Sequence, residues 1–395
     1  MSKKTLLVLA ASQYQIPTIL TAKCLGYRVI TTDNVAENPG HVLADKSYGI
    51  DTTDKQAILK LALQERIDGI IAACTDVAVP TAAYVAKQLG LPGVPPECAN
   101  IVCDKIAFRE FLREQGFPSP DSYPVTHDSK PDQALFQHPW ILKPDRSSGS
   151  KGIFMVSSLE EFFQYIPETL SFSPTGKGIL EKFLSGFQGT CEGVLKQGRL
   201  ALTFVLDRQT VNPPYVVTCG HHVPSILSPQ LQEKLFLLLE EIWNLLEVSD
   251  GPFDCDFVAT EEEIYILELT PRMGGNSIAN LLQKAADFSL IEYSIKQACG
   301  DPVSLPTITS IRPTAVVLLG VKKKGYLSYN QAELERLKRE PWVESLSIDM
   351  DIETPVFPFI NGRHRVGEAF VFGKDREDLE LKVRELKQRL QLGAI

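Results

Sequence analysis

Two acidic side chains in the second half of the chain, Asp256 and Glu268, are spaced so that they could share a cation. The alternation of apolar and polar residues over 253–259 and 264–269 predicts two strands joined by an acidic turn at Thr260–Glu263. With a three-residue loop, Glu261–Glu263, Asp256 would lie opposite Glu268 on the same face of the hairpin. Facing carboxylates repel each other, and a divalent cation with oxygen ligands would relieve that repulsion. The alternative is an acidic hairpin edge that faces solvent.

The segment after this hairpin favours an anionic ligand. Arg272 adds a fixed positive charge, and Gly274 and Gly275 let the backbone approach a ligand closely. A helix is predicted for Ser277–Ala285, with its N-terminus directed back at the end of the hairpin. These neighbours favour a binding site over a plain acidic edge.

A lysine and a small-residue loop lie upstream. Lys143 belongs to a predicted strand, Pro139–Pro144, and the loop Asp145–Gly152 combines glycines, hydroxyls and cations. Such a loop can present backbone N–H groups to phosphate oxygens. It is not a Walker A loop, because the glycine–lysine order is missing and a strand follows. From composition alone, a flexible hairpin tip fits equally well.

Two of the six histidines, His221 and His222, lie in a predicted loop, Cys219–Pro224, after a predicted strand at Tyr215–Thr218. Either imidazole could orient a carboxylate or take a proton from an amine. Local hydrogen bonding within the loop is an equally good interpretation.

The elements that must position these residues divide into three predicted domains, at 1–103, 104–303 and 304–395. The first alternates strand and helix, which predicts a parallel, Rossmann-like sheet. Its first turn reads A-A-S-Q-Y-Q and lacks the glycines of the dinucleotide fingerprint, although Asp33 mimics the ribose-binding acid. A dehydrogenase is therefore the weakest interpretation. The last domain is predicted to be a compact α+β unit packed on the rest.

Composition excludes several classes of function. The 395 residues are 44% hydrophobic and 23% charged, with a formal net charge of −9. That charge argues against nucleic acid and anionic membranes as partners, and no apolar run approaches the roughly 20 residues of a membrane span. The eight cysteines are scattered, which predicts reduced core thiols in a cytoplasmic protein.

Taken in order, five features closely resemble the ATP-grasp superfamily over nearly the whole chain. They are Asp104-Lys105, Lys143, the Ser147–Gly152 loop, Glu181-Lys-Phe-Leu184 and the acid pair ending in E-x-x-x-R-x-G-G. Within that superfamily the chain is similar to the biotin carboxylase and carboxylate–amine (L-amino acid) ligase branch. The resemblance implies a multidomain α/β and α+β protein with an N-terminal Rossmann-like domain, an ATP-grasp domain and a small C-terminal α+β domain. The ATP-grasp domain would comprise a flap subdomain at about 120–183 and a metal and substrate subdomain at about 184–303.

The resemblance also implies roles for individual residues. ATP would be bound by two lysines, the flap loop, the adenine hinge and a ribose contact, namely Lys105, Lys143, Ser147, Ser148, Gly149, Ser150, Lys151, Gly152, Glu181, Phe183, Leu184 and Gln188. Two Mg²⁺ ions, or Mn²⁺, would be bound by Asp256 and Glu268, and Arg272 with Lys143 would be catalytic. The substrates would contact His221, His222, Asp254, Gly274, Gly275 and Asn276.

The chain departs from the family pattern at two positions. Gln188 stands where a glutamate often contacts ribose, and Thr270 stands where asparagine completes the metal pattern. The implied activity is ligation of small carboxylic acids to amines through an acyl phosphate, by an enzyme that is commonly a homodimer. Carboxylation through carboxyphosphate and nucleotide binding without turnover remain alternatives.

Overall fold

The structure is a computed structural model that describes residues 3–211 and 213–395. Within these residues no helix has the length and apolar character needed to cross a membrane.

The N-terminal unit is the predicted parallel sheet, with strand order β3-β2-β1-β4. All residues of its central strand are buried, as expected where helices cover a parallel sheet. Asp33 accepts hydrogen bonds from Ala11 N (2.9 Å) and Asn38 Nδ2 (2.8 Å), so its carboxylate stabilises the local turn. The elements are β1 (Thr5–Leu9), α1 (Ile16–Cys24), β2 (Arg28–Thr32), β3 (Lys46–Tyr48), α2 (Lys55–Glu65), β4 (Gly69–Ile71), α3 (Val79–Leu89) and α4 (Pro96–Val102).

The next unit is an antiparallel four-stranded sheet of order β5-β8-β6-β7. Asp104 begins it by capping a helix, because its carboxylate accepts from the N–H groups of Ile106 (3.0 Å) and Ala107 (3.2 Å). One further helix packs Phe162 and its apolar neighbours against the sheet. The elements are α5 (Lys105–Glu114), β5 (Ser122–Val125), β6 (Trp140–Pro144), β7 (Phe154–Val156), α6 (Leu159–Ser171) and β8 (Gly178–Lys182).

The third unit carries the acidic hairpin and two long strands. Its elements are β9 (Phe187–Lys196), β10 (Arg199–Thr210), β11 (Thr218–Val223), α7 (Pro229–Leu245), β12 (Gly251–Ala259), β13 (Ile264–Thr270), α8 (Ile278–Ala286) and α9 (Leu290–Ala298). The predictions of a strand at 215–218 and a loop at 219–224 are wrong. Residues 220–223 instead pair with residues 314–317. The Gly-His-His run has the polar composition of a loop, but it belongs to a strand whose backbone is paired on both sides.

The C-terminal residues add β14 (Thr314–Leu319), β15 (Gly325–Ser328), α10 (Gln331–Leu337), β16 (Val343–Ile348), β17 (Pro355–Val356), β18 (Gly367–Phe372), α11 (Arg376–Leu390) and β19 (Gly393–Ala394). Three of these strands continue the sheet of the hairpin, giving the order β13-β12-β9-β10-β11-β14-β18-β16. The acidic hairpin and the C-terminal residues therefore belong to one eight-stranded sheet. Short 3₁₀ turns occur at His41–Leu43, Asp76–Ala78, Gln133–Gln137 and Gly362–His364.

All eight cysteines are free thiols. Cys98, Cys191, Cys255 and Cys299 are buried, as predicted, but Cys24 is exposed at the end of α1.

Candidate active site

Asp256 and Glu268 face each other across β12 and β13, as predicted. The turn is Thr260–Glu263, as predicted, and Thr260 N donates to Glu263 O at 2.9 Å; the three-residue loop assumed for the pairing of the two acids does not form. A one-residue bulge at Leu267 shifts the register between this turn and the acid pair. The bulge restores the pairing that the longer turn would have lost.

Each acid of this pair has a cationic neighbour. Lys105 Nζ lies 3.2 Å from Glu268 Oε1, and Arg208 Nη1 lies 3.4 Å from Asp256 Oδ2. Thr190 Oγ1 also donates to Asp256 at 2.6 Å. Burial would raise the pKa of Glu268, but nearby positive charges, Lys105 foremost, outweigh it and lower the pKa to about 2. Glu268 is thus a carboxylate, the form that binds cations.

Lys143 belongs to a buried charge cluster with Glu181 and Arg109. Glu181 lies 2.6 Å from Lys143 Nζ and 2.9 Å from Arg109 Nε. Arg109 also donates to the carbonyl oxygens of Ile266 (3.0 Å) and Leu267 (2.5 Å), which ties the cluster to the hairpin bulge. Burial is the main cause that lowers the pKa of Lys143 to about 8, and the positive charge of Arg109 adds to it. The Glu181 pKa is lowered, because its two cations outweigh the effect of burial.

A cavity with about 680 Å³ of empty space, including its mouth, brings together half of the twelve predicted nucleotide residues. We call it the acid-pair cavity. Its polar lining is Lys105, Lys143, Glu181, Lys182, Gln188, Arg208, Asp256 and Glu268, and its apolar lining is Ile141, Ile153, Phe183, Leu184, Val216, Val258 and Leu267. One cavity thus offers apolar walls for a flat ring together with cations and carboxylates for a metal–polyphosphate group.

The Ser147–Gly152 loop lies beside this cavity without lining it. Its Ser147 carbonyl accepts a hydrogen bond from Lys105 Nζ at 3.2 Å. Gly149 and Gly152 have φ values of 72° and 68°, which favour glycine. The Gly149 carbonyl accepts from Gly362 N at 3.0 Å, so the loop tip rests on the C-terminal residues.

The Arg272 side chain is 11% exposed and already paired. Its guanidinium donates to Asp76 of the N-terminal unit (Nε to Oδ1, 2.9 Å) and to Asp254 (Nη1 to Oδ2, 2.8 Å). Burial opposes the charge, but these two carboxylates raise the pKa of Arg272 well above its usual range. Arg272 does not line the acid-pair cavity, but its charge helps to lower the pKa of Glu268, and its ion pairs join two units of the protein.

Asp254 is paired with a second buried acid, Glu192, on the neighbouring strand. Burial and the adjacent Asp254 raise the pKa of Glu192 well above its usual range, so Glu192 is the protonated partner. The Glu192 carboxyl accepts from Gly274 N at 2.8 Å. Asp254 and Gly274 are therefore part of a buried network behind the acid pair.

A second cavity, of about 500 Å³ including its mouth, lies where three units meet, and we call it the junction cavity. Its lining includes Gly274 and Gly275, two of the residues expected to contact the substrate, but not Asn276. The other lining residues are Gln13, Tyr14, Pro17, Thr18, Cys74, Met273, Ser277, Ala279, Asn280, Ile291, Arg365 and Glu368.

The structure does not bring His221 and His222 to either cavity. They point to opposite faces of β11, as successive strand residues do. Burial lowers the pKa of His221 to about 3 and that of His222 to about 4, so both imidazoles are neutral near pH 7. Their proposed substrate role gains no geometric support.

The two departures from the family pattern have different outcomes. Gln188 lines the acid-pair cavity. Thr270 is buried opposite Asp254, and its hydroxyl lies 3.5 Å from the Asp254 carbonyl oxygen.

The donor set fits a nucleotide-bound magnesium ion better than a metal held by protein alone. Among residues 3–211 and 213–395, no three His, Cys, Asp or Glu side chains converge on one point. Mg²⁺ commonly takes one or two carboxylates and completes its shell with water and phosphate oxygens. The facing Asp256 and Glu268 supply such a pair.

Comparison with known families agrees with this geometry. Residues 102–276 match the ATP-grasp domain family, and this range includes both lysines, the loop, the hinge and the acid pair. The chain carries an ATP-grasp domain.

Similar proteins extend the comparison beyond this domain. An uncharacterized protein of Sinorhizobium fredii is 25% identical over 317 residues, which is 78% of this chain and 65% of that protein. Carnosine synthase 1 of Mus musculus is 25% identical over 263 residues, 61% of this chain and 32% of that protein. The chain thus spans less than two thirds of the length of these relatives. The crystal structure of an L-amino acid ligase from Bacillus licheniformis superposes with a TM-score of 0.83 at 17% identity, covering 100% of this chain and 99% of that one. It therefore shares the fold.

Four charged residues around the ATP-grasp site were missed by the sequence interpretation: Asp76, Arg109, Glu192 and Arg208. Glu192 and Arg208 lie within predicted or observed strands of apolar character. A charged residue buried in such a strand is a signal from which the sequence interpretation could have found a functional residue. Asp76 and Arg109 carry no such signal, because their partners are distant in sequence.

Proposed function

We propose that this protein is an ATP-dependent ligase that joins a small carboxylic acid to an amine through an acyl phosphate. The observation that carries the proposal is the acid-pair cavity, in which two lysines and two facing carboxylates meet an apolar slot. ADP and inorganic phosphate would be the by-products.

The nucleotide would lie along this cavity from hinge to acid pair. Phe183 and Leu184 with the other apolar residues would cover the adenine, and Gln188 would reach the ribose. Lys105 and Lys143 would contact the phosphates as point charges, and the Ser147–Gly152 loop would cover them.

Asp256 and Glu268 would hold Mg²⁺, which supplies positive charge to the phosphate oxygens during transfer. Lys105 Nζ lies 3.2 Å from Glu268 Oε1. With nucleotide bound, the lysine can contact a phosphate oxygen while the carboxylate contacts the metal ion. We expect two Mg²⁺ ions to bind here and Mn²⁺ to be able to replace them.

The chemistry needs positioning more than a nucleophilic side chain. A substrate carboxylate attacks the γ-phosphorus, ADP leaves, and the amine then displaces phosphate from the acyl phosphate. Arg272 would stabilise the charge that develops on the acyl phosphate. Because Asp76 and Asp254 fix its guanidinium, it would act from a set position.

The similar proteins support the choice of an amide-forming reaction. One shares this fold over its full length and is an L-amino acid ligase, and one relative in sequence is a carnosine synthase.

The test is a screen for ADP and phosphate release with ATP, Mg²⁺ and all pairs of L-amino acids. The matched blank is Glu268→Gln, which keeps the size of the side chain and removes its charge. Release that requires an amino acid, with a dipeptide detected by mass spectrometry, is the expected result. No release with any pair, or release that depends on bicarbonate without an amine, would reject the amide-forming proposal.

A further inference from the structure

Glu192 is a fully buried acid that the ligation chemistry described above does not use. It lies on β9 directly opposite Asp254 of β12, with 0% exposure, and it lines neither the acid-pair cavity nor the junction cavity. Its carboxyl group accepts from Gly274 N with both oxygens, at 2.8 Å for Oε1 and 3.1 Å for Oε2. Because a buried acid is tolerated only where its polar atoms are paired, the remaining partner of this carboxyl group indicates its role.

That remaining partner is Asp254. A Cβ atom at Gly274 would lie 2.5 Å from Glu192 Oε2 and 2.8 Å from Asp254 Oδ1, so both oxygens lie beside the same point. The two side chains are hydrogen bonded to each other. Ionised carboxylates offer acceptors only, so this bond requires one proton. Asp254 Oδ1 is buried and receives no other donor from the described residues, and a protonated Glu192 supplies one.

The charges around this pair assign the proton to Glu192. Arg272 is paired with Asp76 and Asp254 and makes no contact with Glu192 among the described residues. Asp256, two residues along β12, adds negative charge on the same side. An ionised Glu192 would therefore place a further negative charge where the one guanidinium is already shared by two carboxylates. Burial and the charge of Asp254 accordingly raise the pKa of Glu192 well above its usual range.

A neutral Glu192 leaves the negative charge of Asp254 for Arg272. The guanidinium has five N–H groups, and four of them are used within the protein. Its Nε and Nη2 atoms donate to Asp76, and Nη1 donates to Asp254 Oδ2 (2.8 Å) and to Met273 O (3.1 Å). One N–H group on Nη2 remains for a ligand, and its direction is set by Asp76 and Asp254. A shift of Asp254 would therefore move the group that Arg272 can offer to the reaction.

We propose that Glu192 is a positioning residue for ligation, a neutral acid that donates to Asp254 Oδ1 and thereby fixes Arg272. The same carboxyl group accepts from Gly274 N, so it also holds the backbone segment that follows Arg272. Glu192 acts through these neighbours, because it lines neither cavity. This inference rests on the proposed ligase function and adds a residue that the sequence resemblance did not assign.

The test compares an isosteric amide with an apolar side chain at this position. Glu192→Gln keeps both hydrogen bonds, because its Nε2 group can donate to Asp254 and its Oε1 atom can accept from Gly274 N. Glu192→Met removes both. It should lower the kcat of ligation roughly 10- to 100-fold and leave the KM for ATP within about twofold, because Glu192 does not line the acid-pair cavity. Glu192→Gln should restore kcat to within about threefold of the parent protein.

Two controls separate positioning from general destabilisation. Val194→Ala truncates a buried apolar residue on the same face of β9, and it should lower the melting temperature without lowering kcat. Combining Glu192→Met with Asp254→Asn should lower kcat no further than Asp254→Asn alone, because Glu192 acts through Asp254. Fully additive losses in the double variant would overturn the proposal.

Infrared spectroscopy tests the proton without turnover. Near neutral pH the parent protein should show the C=O band of a protonated carboxyl group. The band should shift in heavy water and when the side-chain carboxyl of glutamate carries a heavy carbon isotope, and Glu192→Gln should lack it. This measurement stands even if Glu192→Met does not fold. The absence of such a band, or a band that does not respond to the glutamate label, would overturn the proposal.

The two proposals fail in different ways. If no pair of amino acids releases ADP, the ligase proposal fails, and the infrared band still decides whether Glu192 is the donor. If ligation occurs and Glu192→Gln loses as much kcat as Glu192→Met, the positioning role fails and the ligase stands.

Discussion

At the residue scale, each lysine proposed to contact phosphate already has a carboxylate partner. Lys105 lies 3.2 Å from Glu268, and Lys143 lies 2.6 Å from Glu181. Glu181 is shared with Arg109, so one carboxylate serves two buried cations at the Lys143 end. A polyphosphate would supply the missing negative charge there. The charges of the site are therefore already arranged to bind an anion.

The pKa of Lys143 makes nucleotide binding sensitive to pH. Burial lowers that pKa to about 8, so the amine carries its charge below pH 8 and loses it above. We expect the dissociation constant for ADP with Mg²⁺ to rise by up to roughly tenfold between pH 7.5 and 9, since neutral lysine attracts phosphate less. Isothermal titration calorimetry in buffers of different ionisation enthalpy would also detect proton uptake on binding near pH 8.

Lys143→Arg is the matched control, because arginine stays charged across this range. Its ADP affinity should vary little from pH 7.5 to 9. The same slope in the parent protein and in this variant would assign the pH dependence to another group.

The sequence predicted the residues whose signal is local and missed those whose role depends on distant partners. Strand alternation, with an assumed three-residue loop, predicted that Asp256 faces Glu268. Arg208 was missed because it reaches Asp256 from a strand that is separated from β12 by β9. The assignment of His221 to a substrate loop came from composition, and the structure buries its ring within a sheet.

At the element scale, the hairpin shows how a wrong intermediate step can still give the right pairing. The turn Thr260–Glu263 is one residue longer than the loop assumed for the pairing of the two acids, and the bulge at Leu267 compensates. Arg109 binds the carbonyl oxygens of Ile266 and Leu267, so a residue of α5 holds the bulge in place. No pattern within the hairpin sequence specifies such a contact, which is why strand alternation alone could not predict the bulge.

Gly274 and Gly275 form a matched pair for testing the segment after the hairpin. A Cβ atom at Gly274 would lie 2.5 Å from Glu192 Oε2 and 2.8 Å from Asp254 Oδ1, whereas one at Gly275 would meet nothing within 4 Å. Gly274→Ala should therefore lower the free energy of unfolding by roughly 1–3 kcal/mol. Gly275→Ala should change it by about 0.5 kcal/mol or less. Urea unfolding of both variants gives the comparison, and equal effects would contradict the close packing of the two acids on Gly274.

At the scale of the whole molecule, the N-terminal unit, the flap loop and the C-terminal residues meet at Gly362. Tyr14 Oη donates to Gly362 O at 3.0 Å, and Gly362 N donates to Gly149 O at 3.0 Å. Arg272 adds a second connection between units through Asp76. Motif order indicated the units, but these contacts join residues far apart in the chain, and nothing in the local sequence marks them.

Removing one hydroxyl should loosen the flap loop without unfolding the protein. Tyr14→Phe keeps the ring under Arg365 and removes the hydrogen bond to Gly362. A hydrogen bond of this kind contributes roughly 0.5–1.5 kcal/mol, so the Gly362 amide should exchange with solvent about two- to tenfold faster. Hydrogen exchange followed by mass spectrometry over peptides covering 147–152 and 361–365 measures this directly. Tyr123→Phe, at an exposed tyrosine of β5, is the control and should leave both peptides unchanged. If the Tyr14 variant exchanged like this control, the flap loop would be held by Gly149 and Gly362 alone, and the N-terminal unit would have no part in closing it.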